Sequence, residues 1–305
     1  MRQLAALALV LPLLAVAAPN TPAEPKPPQT VALLAAIGDR IEFVRQRESA
    51  GSHLEPYTRQ TLQVSNQALN YAVLRGLDKA IGEEEPASTR VLLQWTMPAD
   101  LAERVEKARG AQRQDLVLGA LTEHLRSLPA RQGWDRVEVV VPAYTFLEMK
   151  GMGTKLSGIG IYVQPLARQS IDISGMSDGS GMSDIATTEV DGDYRTINPN
   201  TGETAHSSVY VAPYMYFERL TFDAKSLALL KRQRFFDNTK YADPMSTALD
   251  VAQQMTPQQM MGKLLESVEK SAYKSVRPLT SEVTATEPKA VGPAPRPSPA
   301  ASAPR

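Results

Sequence analysis

Apolar positions along the chain fall into two regimes. In the first half they form blocks. Thr30 to Ile37, TVALLAAI, is a continuous apolar run and predicts a buried strand. After Gly38-Asp39 the pattern RIEFVRQR alternates, with Ile41 and Phe43 on one side, and Gly-Asp between two such runs predicts a hairpin. Ala68, Leu69, Ala72, Val73, Leu77 and Ile81 recur at helical spacing, with Ser65 placed to cap the helix and Gly82 to end it. Arg90 to Thr96 reads as the next strand. Pro98 opens a helix with Leu101 and Val105 inward, and Gln114 to Leu128 carries a second helical stripe of Leu118, Leu121, Leu125 and Leu128. Asp135 to Met149 is a strand with Pro142 near its middle, where the missing N–H predicts a bulge or an edge.

The second half alternates short strands with turn signals. Ser157 to Gln164 is one strand, and Tyr194 to His206 predicts a hairpin about Asn198-Pro-Asn-Thr-Gly202. Val209 to Phe222 turns at Asp223-Ala-Lys-Ser226 into Leu227 to Phe236, the strongest hairpin signal in the chain. Thr256-Pro257 starts a last helix with Met260, Met261, Leu264, Leu265 and Val268 on its apolar stripe. The fold class is therefore α/β (α+β): one mixed β-sheet with helices packed on it, the second half a strand meander with a terminal helix.

The termini add a compartment. Arg2, an apolar run from Leu4 to Val16 and Ala15-Val16-Ala17 form the pattern of a signal peptide cleaved after Ala17, too short to span a bilayer. The expected division is 1–17 signal peptide, 18–29 Pro-rich leader, 30–279 one α/β domain and 280–305 a disordered Pro/Ala-rich tail. A periplasmic or secreted location follows, with no membrane span after signal removal. Cysteine is absent, which excludes disulfides, thiolate chemistry and lipid attachment through a lipobox. The 33 basic and 33 acidic residues cancel, so the charge excess typical of nucleic-acid binding is missing.

Few motifs carry chemistry. The repeat SGMSDGSGMSD, Ser174 to Asp184, spaces Asp172, Asp178 and Asp184 regularly, but not at the alternate positions of a calcium loop, and its composition is that of a mobile loop. Gly151 to Gly160, GMGTKLSGIG, has Ile159 where a phosphate loop needs lysine, and a strand follows rather than a helix, so close strand approach is the better reading. Gly38-Asp39 after a strand matches the opening of the SGNH hydrolases except that Arg40 stands in place of the serine nucleophile. His53, His124 and His206 have no helical metal spacing, and the acids Glu83-Glu84-Glu85, Asp191 and Asp193 lie in turn-like segments where solvated charge is expected. No cofactor and no metal site is expected. Tyr210, Tyr214 and Tyr216 share one face of the Val209–Phe222 strand, opposite Val211, Met215 and Phe217. That tyrosine face suits either a covered layer or a patch for a partner, and Pro213 predicts an edge or bulge where a partner strand could add.

The early VALL strand, the helix NYAVLRGLDKAI and the late YFERLTFDAKSLALLKRQ together resemble the α/β domains of several envelope proteins. These are the curli-secretion lipoprotein, the amino-terminal domain of the Tol-system periplasmic protein and the activators of peptidoglycan synthases. The resemblance implies action by protein–protein contact, without the lipid anchor of the lipoprotein members. The expected function is thus a non-enzymatic envelope interaction or assembly protein, with an envelope protein or a second copy as partner. The alternatives are a hydrolase with a site built from the Gly151–Gly160 and Asp172–Asp184 loops, and a small-ligand-binding domain. Clustered carboxylates or histidines with shifted pKa values in a cleft would favour the enzyme.

Overall fold

A computed structural model describes residues 28–47, 57–144, 156–165, 194–248 and 250–277. Residues 1–17, Asp172 to Asp184, His53, Asp191, Asp193 and residues 280–305 lie outside the described residues. The elements are β1 (Thr30–Ala35), β2 (Arg40–Gln46), β3 (Tyr57–Gln63), α1 (Ala68–Glu84), β4 (Thr89–Leu93), α2 (Ala99–Lys107), α3 (Ala111–Ser127), β5 (Arg136–Pro142), β6 (Ile159–Gln164), β7 (Tyr194–Ile197), β8 (Thr204–Ser207), β9 (Tyr210–Asp223), β10 (Leu229–Asn238) and α4 (Pro257–Val276). The mixed sheet with packed helices has the expected fold class.

β9 organises the sheet. Its fourteen residues pair antiparallel with β10 along one edge, Tyr214 to Phe222. The opposite edge is shared: Phe217 to Asp223 pairs with β5, and Tyr210 to Met215 pairs with β6. β5 and β6 therefore lie end to end, since Pro142 faces Phe217 and Ile159 faces Met215. β1 and β2 repeat the arrangement one strand further out, β1 parallel to β5 and β2 parallel to β6. β4 then extends the β1 half, and β3 the β2 half. The sheet is two half-sheets joined along β9.

This arrangement corrects the hairpin expected at Gly38-Asp39. β1 pairs with β4 and β5, and β2 with β3 and β6, so the chain goes forward through the glycine instead of reversing. Gly38, at φ +84°, offsets the line. The partner that does reverse on β2 is β3, YTRQTLQ, an edge strand with only Tyr57 buried and hence no apolar alternation to announce it. Both prolines are accommodated without a bulge. β5 ends at Pro142, where the chain leaves the sheet. Pro213 lies inside β9, but its peptide nitrogen faces the β10 side, just past the last β9–β10 pair at Tyr214, while its carbonyl accepts from Thr239 N at 3.1 Å.

Two helix ends also differ from expectation. Ser65 makes no cap; Asn66 and Gln67 take left-handed φ of 60° and 52°, and α1 begins at Ala68. Gly82 does not end it, because α1 runs on to Glu84. Around Glu83–Glu85 the acids are paired: Glu83 and Glu84 with Arg277, and Glu85 with Arg136. α4 starts with a full capping box between Thr256 and Gln259.

Three apolar clusters fill the layers. α1 and α4 cover one sheet face along both halves, burying Val31, Leu33, Ile161, Val211, Met215 and Phe217 under Leu77, Leu264 and Val268. On the other face α2 and α3 cover only the β1–β5 half, over Ala32, Leu34, Val137, Val139 and Leu220. The β2–β6 half of that face carries Tyr57, Tyr162, Tyr210, Tyr214 and Tyr216 with Val44, Leu156 and Ala242.

Candidate functional site: the cleft at the strand breaks

The two lines of end-to-end strands break at the same level, β1–β2 at Ala36–Asp39 and β5–β6 after Pro142. Two neighbouring breaks leave a gap in the pleated surface, and α2 stands over it. The result is a cleft of about 400 Å³, within the size range of small-molecule sites. Its apolar wall comes from Ile37, Ile41, Val105, Pro142 and Ile159; Arg40, Glu42, Glu106, Arg113 and Tyr144 supply the polar groups.

Most of these polar groups are held in place. Asn70, buried on α1, accepts from the Ile37 N–H at 3.0 Å and satisfies the broken end of β1. Asp39 O accepts from Val64 N, and its carboxylate accepts from Gln63 Nε2 at 3.3 Å. Arg113 donates from Nε to Ala108 O at 2.8 Å and from Nη2 to Glu106 O at 3.1 Å, with its guanidinium 5.6 Å from the Tyr144 ring centroid. Burial pushes the Tyr144 hydroxyl above its ordinary pKa, the nearby Arg113 charge opposing the shift and Glu42 adding to it. Across the opening Arg40 Nη1 meets Glu106 Oε2 at 2.9 Å, with side chains 51% and 64% exposed. A pair so exposed contributes at most about 1 kcal/mol, so it closes the opening only weakly.

The floor on the tyrosine side depends on one glycine. Glu42, Gly160 and Tyr214 lie in register across β2, β6 and β9. A Cβ at Gly160 would sit 2.0 Å from Glu42 O and 2.7 Å from Tyr214 Oη. Only glycine lets the Tyr214 ring cross the strand toward Glu42. The Tyr214 hydroxyl is buried without a hydrogen-bond partner among the described residues, and burial holds its pKa well above the ordinary value, with the Glu42 charge acting in the same direction. Gly158, at φ +68°, makes the turn into β6. The close-approach reading of the glycine segment therefore describes its described end.

Tyr210, Tyr214 and Tyr216 share one face, as the alternation requires, and they are interior, at 3%, 0% and 1% exposure. Their rings lie in one cluster with Tyr57, Tyr162, Tyr194 and Phe236, so a partner would reach them only by displacing that cover. His124 lies in the last turn of α3 and His206 on β8, and neither lines the cleft. Among the described residues no group of three His, Asp or Glu could hold a metal, and no helix is long and apolar enough to cross a membrane. Most of the cleft residues went unnoticed in the sequence because they come from separate segments without a motif. The local signals were Gly38-Asp39, which marks the break, and the Gly151–Gly160 segment, whose Ser157, Gly158 and Ile159 line the cleft.

No family model matches the chain, and no curated protein matches it. Among solved structures, a crystal structure of a Xanthomonas campestris protein described by the family model DUF330 is 11% identical, the match covering 84% of this chain and 86% of that chain at a TM-score of 0.30. At that score the likeness is too loose to fix architecture or role.

Proposed function

We propose that this chain is an exported protein of the cell envelope that works by binding another envelope component rather than by turning one over, and that the cleft at the strand breaks is where it binds. The supporting observation is the coincidence of the two breaks under α2. It yields a walled cavity whose polar groups are fixed by the fold and across whose opening, among the described residues, the exposed Arg40–Glu106 pair lies. Such preorganisation lowers the ordering cost of binding. The charged groups of both signs suit a component that carries both, such as an extended polypeptide segment.

The test has two arms. Mass spectrometry of protein from the source cell should find a mature chain starting at Ala18; an intact Met1 on cytoplasmic material removes the envelope from the reading. A photo-crosslinker at Met97, a cleft-lining residue, should give one discrete adduct in envelope preparations. Ala102→Trp, which fills the cleft from α2, should abolish that adduct while leaving the fold intact. An adduct that survives the filled cleft, or a captured component that is chemically altered with time, overturns binding at this site.

A further inference from the structure

A second concavity, of about 390 Å³, lies at the far end of the tyrosine row, between the β7–β8 hairpin and the chain leaving β10. Arg195, Ile197, Thr204, Asn238, Thr239 and Lys240 line it. The composition is one-sided: two cations, two hydroxyls and an amide, with no carboxylate among the described lining residues. Nor does Arg195 or Lys240 have an ion-pair partner among the described residues, although most other arginines described here have one.

The scaffold under it is fixed on both sides. Residues Thr239 to Ala242 run between β9 and β7. Thr239 N donates to Pro213 O at 3.1 Å, Tyr241 N and O bond Val211 at 2.8 Å each, Lys240 O accepts from Ile197 N at 2.9 Å, and Ala242 N donates to Ile197 O at 3.2 Å. Lys240 is half-buried, its Nζ 3.6 Å from the Tyr194 ring centroid and 4.9 Å from that of Tyr210. The ring faces partly replace the water it has lost, but they accept no proton-donating bond of the strength an oxyanion would. Burial accordingly lowers the Lys240 pKa. A cation held in partial desolvation, beside a second cation and two hydroxyl donors, is under-compensated, and an anion entering there gains more than it would at an open surface.

We propose that this concavity is an oxyanion site, taking a tetrahedral phosphate or sulfate group with Arg195 and Lys240 as its charged donors and Thr204 and Thr239 as hydroxyl donors. A tetrahedral anion presents several oxygens in different directions, which matches donors arriving from two strands and a connecting segment. A carboxylate presents two in one plane. The site is separate from the cleft at the strand breaks and stands whether or not that cleft binds anything.

The experiment titrates full-length protein with inorganic phosphate at constant ionic strength, followed by backbone amide shifts. Saturable shifts should be confined to Arg195, Thr204, Asn238, Thr239 and Lys240, and acetate should act on the same residues at least tenfold more weakly. Arg195→Gln should weaken phosphate binding about tenfold, and adding Lys240→Gln should remove it. Arg195 is exposed, so its variant reads the site even if Lys240→Gln unsettles the tyrosine row. Bound phosphate should also raise the Lys240 pKa. Shifts spread evenly over the surface cations, equal affinity for acetate, or unchanged affinity in Arg195→Gln overturns the assignment.

Discussion

The two faces of the sheet solve the same burial problem with different materials. Under α1 and α4 the contact is aliphatic almost throughout: Val31, Leu33, Leu69, Leu77, Leu264 and Val268 need only be dry and close-packed. On the opposite face, the β2–β6 half is built of tyrosines, and each buried hydroxyl must find a partner or go without. Tyr162 succeeds, bonded to the side chains of Gln46 and Gln164 at 2.7 Å each. Tyr214 does not. The aliphatic face thus gains stability from area alone, about 25 cal/mol per Å² buried. The tyrosine face exchanges some of that gain for polar atoms poised beside a cleft and, at its far end, two cations without an ion-pair partner among the described residues.

The largest expected effects come from glycines that allow close approach, one beneath each face. Gly76 brings α1 against α4 so closely that a Cβ would lie 2.2 Å from Glu269 O; at Gly160 it would lie 2.0 Å from Glu42 O. Both clashes are with backbone, which cannot swing aside. Gly76→Ala and Gly160→Ala should each cost about 3 kcal/mol or more, toward the upper end of overpacking penalties, read as a fall in denaturation midpoint. If the two faces differ as described, Gly76→Ala loosens only the α1–α4 contact, while Gly160→Ala also reshapes the cleft floor and changes binding there. A Gly160→Ala protein of wild-type stability would show that Tyr214 does not cross the strand as closely as described.

Alkaline pH should next test the buried tyrosines of both faces. Burial pushes Tyr216 up to about 12, against about 10 in an unfolded chain. The folded state then holds its proton more tightly than the unfolded state. The resulting stability is fully present below pH 10 and is lost as pH rises from about 10 to about 12. Each such tyrosine contributes on the order of 2 kcal/mol of that loss. Tyr241, also raised to about 12 by burial with Glu266 adding to the shift, belongs to the aliphatic cluster and provides the internal comparison. Denaturant midpoints measured from pH 9 to 12, beside tyrosinate absorbance, should fall in step with ionisation. The fall should shrink in Tyr216→Phe. A pH-independent midpoint across that window would mean the tyrosine face is wetter than its burial indicates.

The smallest effect has the opposite sign. Tyr214→Phe deletes a hydroxyl that is buried without a partner among the described residues, so it should stabilise the protein by about 1 kcal/mol. The same change at Tyr162 deletes a satisfied hydroxyl and should destabilise by a similar amount. Matched melting curves of the two variants check the pair. Loss of stability in Tyr214→Phe would reveal a partner for that hydroxyl.

What the sequence determined by itself is whatever has a local physical cause. β1 is written in TVALLA, α4 in Thr256-Pro257 and the stripe Met260, Leu264, Val268, and the β9–β10 reversal in Asp223, whose carboxylate accepts from the Lys225 and Ser226 N–H groups. The alternation along β9 likewise placed its tyrosines and its aliphatic residues on opposite faces. Tertiary structure decided the rest. Whether Gly38 reverses the chain or shifts it sideways depends on where β5 and β6 lie, a hundred residues on. β3 has no apolar pattern of its own, and β2 alone gives it an edge to pair with. The tyrosines are interior because loops and neighbouring strands cover them, which no period-two pattern encodes. The cleft arises where two strand breaks distant in sequence come level, and Arg195 meets Lys240 because Ile197 pairs with the segment beyond β10. Local patterns fix which side of an element is apolar; contacts between distant segments fix what that side meets, and both candidate sites are made of such contacts.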